Sequence, residues 1–218
     1  RKHRVIALTD LEMFEVSNEF VDDVVRIDDE FGRGDGKIEA EHQVPAILIL
    51  AAGLGSRLKQ HTAHKNKALL PLGNRAVISH VIEKFPASYE IVVAVGYQKD
   101  SLIEYCQLAH PERTFRFVEA DKWDDPKTDP GHSAWACREF LQRPFYLCAV
   151  DSIIEGPMPH MDGNWLGVYP TDCPERYDTV VVKDGAVERM WGKGSIGAEQ
   201  AFMGLAAIHD YQIFWSEL

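Results

Sequence analysis

From Val44 onward, apolar runs of strand length alternate with helical apolar patterns, and this alternation restricts the chain to few folds. Strands are predicted at 46–50, 90–95, 115–118 and 145–150, and helices at 76–85, 101–108 and 133–141. Such alternation is typical of a parallel sheet with helices on both faces. Further strands, at 166–169, 179–182, 186–190 and 202–208, have few helices between them. We predict an α/β fold, a three-layer sandwich with a mostly parallel, mixed central sheet.

The first strand runs directly into a glycine loop, Gly53-Leu54-Gly55, and two cations follow it, Arg57 and Lys67. Glycines let backbone N–H groups approach an anion closely, and cations can then neutralise its charge. The pattern is not a P-loop, and Leu58 stands where a dinucleotide fingerprint has its third glycine. Ligands of open α/β sheets bind at the carboxyl ends of strands, where this loop and Asp151 are both predicted. The sequence therefore indicates a polyphosphate site there.

The longer pattern is more specific. Residues 51–58 read Ala-Ala-Gly-Leu-Gly-Ser-Arg-Leu, and residues 67–74 read Lys-Ala-Leu-Leu-Pro-Leu-Gly-Asn. This resembles the signature of the sugar-phosphate and cholinephosphate nucleotidyltransferases, in which Pro-Lys usually stands where this chain has Asn66-Lys67. The resemblance implies a Rossmann-like nucleotidyltransferase fold of the glycosyltransferase-A type. It also implies Mg²⁺-dependent transfer of a nucleoside monophosphate from an NTP to a small acceptor, with release of pyrophosphate.

Where residues match, the resemblance also implies their roles. The nucleotide-binding residues are Ala51, Ala52, Gly53, Leu54, Gly55, Ser56, Arg57, Lys67, Gly131, His132 and Ser133. The catalytic cations are Arg57, Lys67 and Lys193, although the neighbours of Lys193 do not match the family's Glu-Lys-Pro. Asp151 is the implied metal ligand, and Mg²⁺ the implied cofactor. This reaction needs positioning and charge neutralisation more than a general base, because an acceptor phosphate is already ionised at neutral pH.

The composition and charge of the chain indicate which classes of partner it is suited to bind. The formal net charge is −11, and residues 1–44 carry 6 Lys and Arg against 12 Asp and Glu. Such acidity disfavours nucleic acid and anionic membranes as partners. The longest apolar run is too short to span a bilayer, and no signal peptide precedes it. The four cysteines lack metal-site spacing, which favours buried thiols. We predict a cytoplasmic protein, for which a homo-oligomer is compatible with the sequence.

The two ends of the chain are harder to interpret. Residues 1–44 have strand patterns at 4–8 and 21–27, a helical pattern at 11–20 and a glycine-rich stretch at 32–37. They form an acidic segment without an assignable role, compatible with the end of an upstream domain. Residues 45–218 are predicted to be the nucleotidyltransferase domain, truncated at its C-terminus. The family usually has a second acidic metal ligand, which we expect beyond Leu218; Asp210 follows its strand too closely.

Three readings of the function remain open. The leading one is a nucleotidyltransferase that uses CTP or UTP and a phosphate or phosphonate acceptor. Trp165, Trp191 and Trp215 all fall in the second half, where core packing is their default explanation. Clustered aromatic faces also attract ammonium groups, so CTP with a phosphocholine-like or aminoalkylphosphonate acceptor is favoured. A sugar 1-phosphate is the alternative acceptor. A reading of another class is a regulatory domain that binds nucleotide without turnover, which the missing second acid would explain.

Overall fold

One sheet of eight strands organises the protein in the computed structural model, which describes residues 44–121, 123–125, 129–194 and 200–218. Its strands are β1 (Ala46–Leu50), β4 (Ile91–Val95), β5 (Phe115–Glu119), β6 (Phe145–Ala149), β7 (Trp165–Pro170), β8 (Thr179–Lys183), β9 (Ala186–Trp191) and β10 (Gln200–Ile208). The short strands β2 (Pro71–Leu72) and β3 (Arg75–Ala76) form a separate hairpin. The helices are α1 (Val77–Ile82), α2 (Lys99–Ala109), α3 (Pro130–Ala136) and α4 (Tyr211–Glu217).

The first half of the sheet is parallel. Strands β5, β4, β1 and β6 are neighbours in that order, and all three pairings are parallel. In the middle of β1, Ile49 pairs with Val93 on one side and with Cys148 on the other. The carboxyl ends of these four strands therefore lie along one edge of the sheet, called the carboxyl edge below. The predicted mostly parallel, mixed sheet is confirmed.

The second half is antiparallel and extends past the carboxyl edge. Strand β10 runs antiparallel to β6, with Leu205 opposite Cys148, so residues 200–203 reach beyond the end of β6. There, β10 pairs with β7 on one side and β8 on the other, and β9 forms the outer strand. The register of β10 against β7 shifts between Phe202 and Ala206. Gly204 allows this irregularity, because its φ is +68° and a Cβ there would lie 2.5 Å from the Cβ of Ala149.

Helices cover both faces of the sheet, as predicted. On one face, α1 and α2 bury Ile78, Ile82 and Leu102 against alternate residues of β1 and β4. On the other face, α3 and α4 bury Ala134 and Trp215 against the remaining residues of the same strands and β6. Strands buried on both faces explain the continuous apolar runs in the sequence.

Helix α4 and the β2–β3 hairpin were not predicted, and α2 and α3 begin two and three residues earlier than expected. Helix α3 begins at Pro130, where the Asp129 carboxylate accepts a hydrogen bond from the His132 N–H at 3.0 Å. The strands of the β2–β3 hairpin have two residues each, too few to show alternation, and α4 is rich in aromatic residues of modest helix propensity. The strands and the helix predicted within residues 1–43 lie outside the described residues.

The prediction of buried thiols is confirmed for three cysteines. Cys106, Cys137 and Cys148 are buried and free, while Cys173 is half-buried and free. Burial raises the pKa of the Cys106 and Cys137 thiols to about 12, and it also raises the pKa of Cys148. These three thiols are packing residues rather than nucleophiles, because only the thiolate reacts.

A buried histidine makes stability depend on pH. His110 lies between α1 and α2, with its Nε2 atom 2.8 Å from the Ser79 hydroxyl, and burial is the main reason that its pKa is lowered from 6.5. The unfolded chain therefore binds the proton more readily than the folded one. We expect the free energy of unfolding to fall as the pH drops below about 6.5. Urea denaturation between pH 8 and 5 should show a shallower dependence in His110→Gln; parallel curves would contradict this origin.

Candidate functional site

The glycine loop leaves β1 with free backbone donors. The Ala51 N–H still donates to Ala94 O at 3.0 Å, which ends the pairing of β1 with β4. The N–H groups of Gly53, Leu54 and Gly55 donate to no acceptor among the described residues. Consecutive free amides at the end of a strand form a concavity that can bind an anion. The structure thus brings the predicted loop to the carboxyl edge with unpaired donors.

The two loop glycines serve different purposes. Gly55 has a φ of +64°, and a Cβ there would lie 3.1 Å from Thr62 Cγ2 and 3.3 Å from Lys67 Cβ. Gly53 has no such constraint, because a Cβ added to it would meet nothing within 4 Å. Gly55 is therefore required by the fold itself. At Gly53 the protein leaves open space above the free amides, as a bound ligand would require.

This difference gives a prediction with a matched control. Gly53→Ala should leave the Tm within roughly 2 °C of the wild type, since nothing in the protein contacts the new methyl group. It should raise the KM for the NTP by roughly tenfold, because the methyl group would occupy space next to the phosphates. Gly55→Ala should lower the Tm by several degrees, since its backbone is left-handed. Equal effects of the two changes on Tm and KM would contradict this division of roles.

Lys67 and Asp151 meet at the carboxyl edge. Lys67 begins a 3-10 helix, Lys67–Leu69, which Ala68 anchors in the core. Asp151 follows β6, and its Oδ2 atom lies 3.1 Å from Lys67 Nζ. The Lys67 side chain is 19% exposed and that of Asp151 is 54% exposed. Ion pairs with this much exposure contribute only about 0–1 kcal/mol, so a charged ligand can displace one partner from the other at small cost.

Arg57 follows the glycine loop closely in the sequence and is exposed. It is exposed on a 3-10 helix, Ser56–Thr62, and it makes no hydrogen bond or ion pair with any described residue. The Thr62 hydroxyl holds this helix by donating to Gly55 O at 2.9 Å. Arg57 is thus an exposed cation two residues after the free amides, and its role in phosphate binding stays a prediction.

A second loop, after β4, supports the first and was missed in the sequence analysis. The Tyr97 N–H donates to Ala52 O at 2.9 Å, and the Tyr97 hydroxyl donates to Ala63 O at 2.6 Å. Gly96 permits this contact, because a Cβ would lie 2.8 Å from Ala52 O and 2.5 Å from Trp123 Cγ. The Gly-Tyr pair directly after an apolar strand was the signal that could have identified it.

The predicted Gly131-His132-Ser133 turn opens α3, the helix that follows β5 along the chain. These residues form the first turn of α3 and are half-buried. A cleft of about 370 Å³ is lined there by Asp129, Gly131, His132, Trp135 and Leu218. The structure gives no contact between this cleft and Lys67, so the nucleobase role of the turn stays a prediction.

Lys193 occupies a different part of the site region. It follows β9, and its backbone N–H donates to Asp178 Oδ1 at 3.0 Å, while its Nζ atom lies 4.0 Å from Asp178 Oδ2. Asp178 O in turn accepts from Phe202 N, in the part of β10 that extends past the carboxyl edge. The structure therefore places Lys193 on the antiparallel extension, and its ion-pair partner is Asp178 rather than Asp151.

Asp151 is the metal ligand that the resemblance implies, and its surroundings determine whether it fits Mg²⁺. No group of three His, Cys, Asp or Glu side chains converges across residues 44–121, 123–125, 129–194 and 200–218. Asp210 cannot join Asp151, because it follows the end of β10, where Ile208 lies opposite Phe145 at the start of β6. Asn164 and His209 instead hydrogen-bond to the Asp210 carboxylate and lower its pKa, the His209 bond having the larger effect. Asp151 fits Mg²⁺ as a single hard oxygen ligand whose remaining ligands would be phosphate oxygens and water.

The three tryptophans of the second half do not form a common aromatic site. Trp215 is buried and stacks on Phe145 with ring centroids 5.3 Å apart. Trp165 packs on Tyr146 on the opposite face of the sheet. The ring of Trp191 is already covered by the Arg189 guanidinium at 4.9 Å. Trp215 is a core residue, as the default explanation predicted, and the alternative of one shared ammonium site is wrong for these three rings.

Comparison with known proteins supports the motif. The family model of the MobA-like NTP transferase domain matches residues 47–185. The bifunctional protein GlmU of Methanococcus maripaludis is 27% identical over 136 residues, which are 61% of this chain and 31% of that protein. The chain thus spans about a third of the length of the curated relatives that it matches.

Solved structures share the fold. A UDP-glucose pyrophosphorylase complexed with UDP-glucose superposes with a TM-score of 0.66 at 16% identity, covering 80% of this chain and 78% of that one. The CTP:phosphocholine cytidylyltransferase from Streptococcus pneumoniae superposes with a TM-score of 0.61 at 22% identity, covering 78% and 74%. None of the described helices is long and apolar enough to cross a membrane.

Proposed function

This chain belongs to the MobA-like NTP transferase domain family, and we propose on that basis that it is a nucleotidyltransferase acting on a small phosphorylated acceptor. An acceptor phosphate oxygen would attack the α-phosphorus of an NTP, the bond from that phosphorus to the bridging oxygen would break, and pyrophosphate would leave. The observation that carries the proposal is the Lys67–Asp151 pair, with Nζ and Oδ2 3.1 Å apart beside the free amides of the glycine loop.

Each part of this arrangement suits one requirement of the reaction. The amides of Gly53, Leu54 and Gly55 bind phosphate oxygens, and Lys67 neutralises the charge that builds up at the α-phosphate. Arg57 adds a second cation to the polyphosphate. Asp151 would hold Mg²⁺, which supplies Lewis-acid neutralisation of phosphate charge when bound. A group that moves a proton is not required, because the acceptor is already ionised.

The acceptor would lie on the antiparallel extension, where Lys193 stands beside Asp178. The arguments for a cationic acceptor weaken, because Trp215 is in the core and the Trp191 ring is covered by Arg189. We therefore place a sugar 1-phosphate first as acceptor, in line with the UDP-glucose pyrophosphorylase neighbour. A phosphocholine-like or aminoalkylphosphonate acceptor with CTP comes second, in line with the cytidylyltransferase neighbour.

Pyrophosphate release by the intact natural protein tests the proposal. Each of the four NTPs is combined with Mg²⁺ and, in turn, with hexose 1-phosphates, phosphocholine and an aminoethylphosphonate. The expected result is release with one NTP that requires both the acceptor and Mg²⁺. Turnover of phosphocholine without turnover of any sugar 1-phosphate would reverse the order of acceptors. NTP binding without release for every pair would instead favour a regulatory nucleotide-binding domain.

A further inference from the structure

Asn66 stands directly before Lys67 and is fully buried. A buried side-chain amide must satisfy its donors and its acceptor within the protein. Asn66 does so completely, although the loop around it is exposed. Its contacts are therefore the part of the loop that the fold defines most strictly.

The three hydrogen bonds of Asn66 connect three separate segments at the carboxyl edge. Its Nδ2 atom donates to Ala51 O at 2.9 Å, at the end of β1, and to Tyr97 O at 2.7 Å, after β4. Its Oδ1 atom accepts from Ala68 N at 2.9 Å, in the turn that carries Lys67. One side chain thus ties the backbone of the lysine to the ends of two central strands.

The backbone of Asn66 adds to this restraint. Its φ of −62° and ψ of 140° are values that a proline would also adopt. A proline would fix only φ, whereas the asparagine also anchors the turn to Ala51 and Tyr97. On the other side, Gly55 packs closely against the Lys67 Cβ, since a Cβ added to Gly55 would lie only 3.3 Å from it. The root of the lysine is therefore fixed from two directions, while its amine reaches Asp151.

We propose that Asn66 is a positioning residue that holds Lys67 where its amine meets the transferred phosphate. This rests on the proposed function, in which Lys67 stabilises charge in the transition state. Asn66 is fully buried, and its side-chain amide bonds to protein backbone alone. Its effect on turnover must therefore pass through Lys67.

A double-mutant cycle tests that dependence, using Asn66→Ala, Lys67→Ala and the double variant. Asn66→Ala should lower kcat by roughly 10- to 100-fold and change the KM for the NTP by less than about threefold. In the Lys67→Ala background it should lower kcat by less than about twofold. Independent, multiplying losses of kcat would overturn the proposal, since Asn66 would then act without Lys67.

Two further variants separate positioning from simple destabilisation. Asn66→Asp keeps the shape and the Ala68 bond, but its second oxygen faces two carbonyl oxygens, so it should lose as much kcat as Asn66→Ala. Ser79→Ala is the matched control, because Ser79 is also buried and also makes two side-chain hydrogen bonds, to Tyr105 and His110. It should lower Tm without lowering kcat. An equal loss of kcat in Ser79→Ala would overturn the proposal.

A readout without turnover keeps this inference separate from the proposed function. Lysine labelled with ¹³C at Cε gives one signal per lysine, and Lys67→Ala assigns that of Lys67. With Asn66 present, Asp151→Asn should shift this signal, because the ion pair with Lys67 is lost. In the Asn66→Ala protein the same change should shift it by less than half as much. If Asp151→Asn moved the signal as far in the Asn66→Ala protein as in the wild type, Asn66 would not position the lysine, whether or not the protein transfers a nucleotide.

Discussion

Lys67→Ala is expected to lower the kcat of nucleotidyl transfer by roughly 10²- to 10³-fold, the loss typical of one charged group that stabilises a transition state. The KM for the NTP should change much less, because the amine contributes most when charge accumulates on the α-phosphate. The Tm should fall little, since Lys67 is partly exposed and its pair with Asp151 contributes only about 0–1 kcal/mol. Steady-state pyrophosphate release and a thermal melt measure these quantities.

The control for this change is close in sequence. Lys65 is exposed two residues earlier and makes no hydrogen bond or ion pair with any described residue. Lys65→Ala removes the same charge and should leave kcat within about twofold of the wild type. A kcat for Lys67→Ala equal to that of Lys65→Ala would show that general positive charge, rather than the position of Lys67, matters.

The second large effect concerns Asp151. Asp151→Asn keeps the shape of the side chain and removes a hard anionic oxygen, so Mg²⁺ should bind more weakly. We expect the Mg²⁺ concentration for half-maximal rate to rise by roughly tenfold and kcat to fall by roughly 10²-fold. A magnesium titration of pyrophosphate release at saturating NTP measures both.

A carboxylate outside the site provides the comparison. Asp162 is exposed in the segment between β6 and β7, and Asp162→Asn changes the net charge equally. Its Mg²⁺ midpoint and kcat should match those of the wild type. If Asp151→Asn also left both unchanged, Asp151 would be a turn residue, and a metal ion bound elsewhere would have to be sought.

The parallel half of the sheet was predictable because its signal is strong. Strands β1, β4 and β6 are buried on both faces and therefore read as uninterrupted apolar runs. Helix α4 was not predicted, because its sequence is rich in aromatic residues of modest helix propensity. Its Trp215 is held by packing on Phe145, a contact between residues far apart in the sequence.

The residues of the candidate site were likewise predictable only where their signal is local in the sequence. The glycine loop, Lys67 and Asp151 could be found because each follows a recognisable local pattern. The contribution of Asn66 could not, because its hydrogen bonds reach Ala51 and Tyr97, which are 15 and 31 residues away. The position of Lys193 depends on how far β10 extends past β6, a register that no local pattern specifies.

The most direct test of nucleotidyl transfer follows the phosphates of the NTP. The intact protein is incubated with Mg²⁺, the preferred acceptor and the preferred NTP, labelled with ³²P at the α-position in one reaction and at the γ-position in a second. The α-label should appear in the acceptor product and the γ-label in pyrophosphate. Lys67→Ala should slow both equally. Transfer of the γ-label to the acceptor, or release of the α-label only as free nucleotide, would contradict the account.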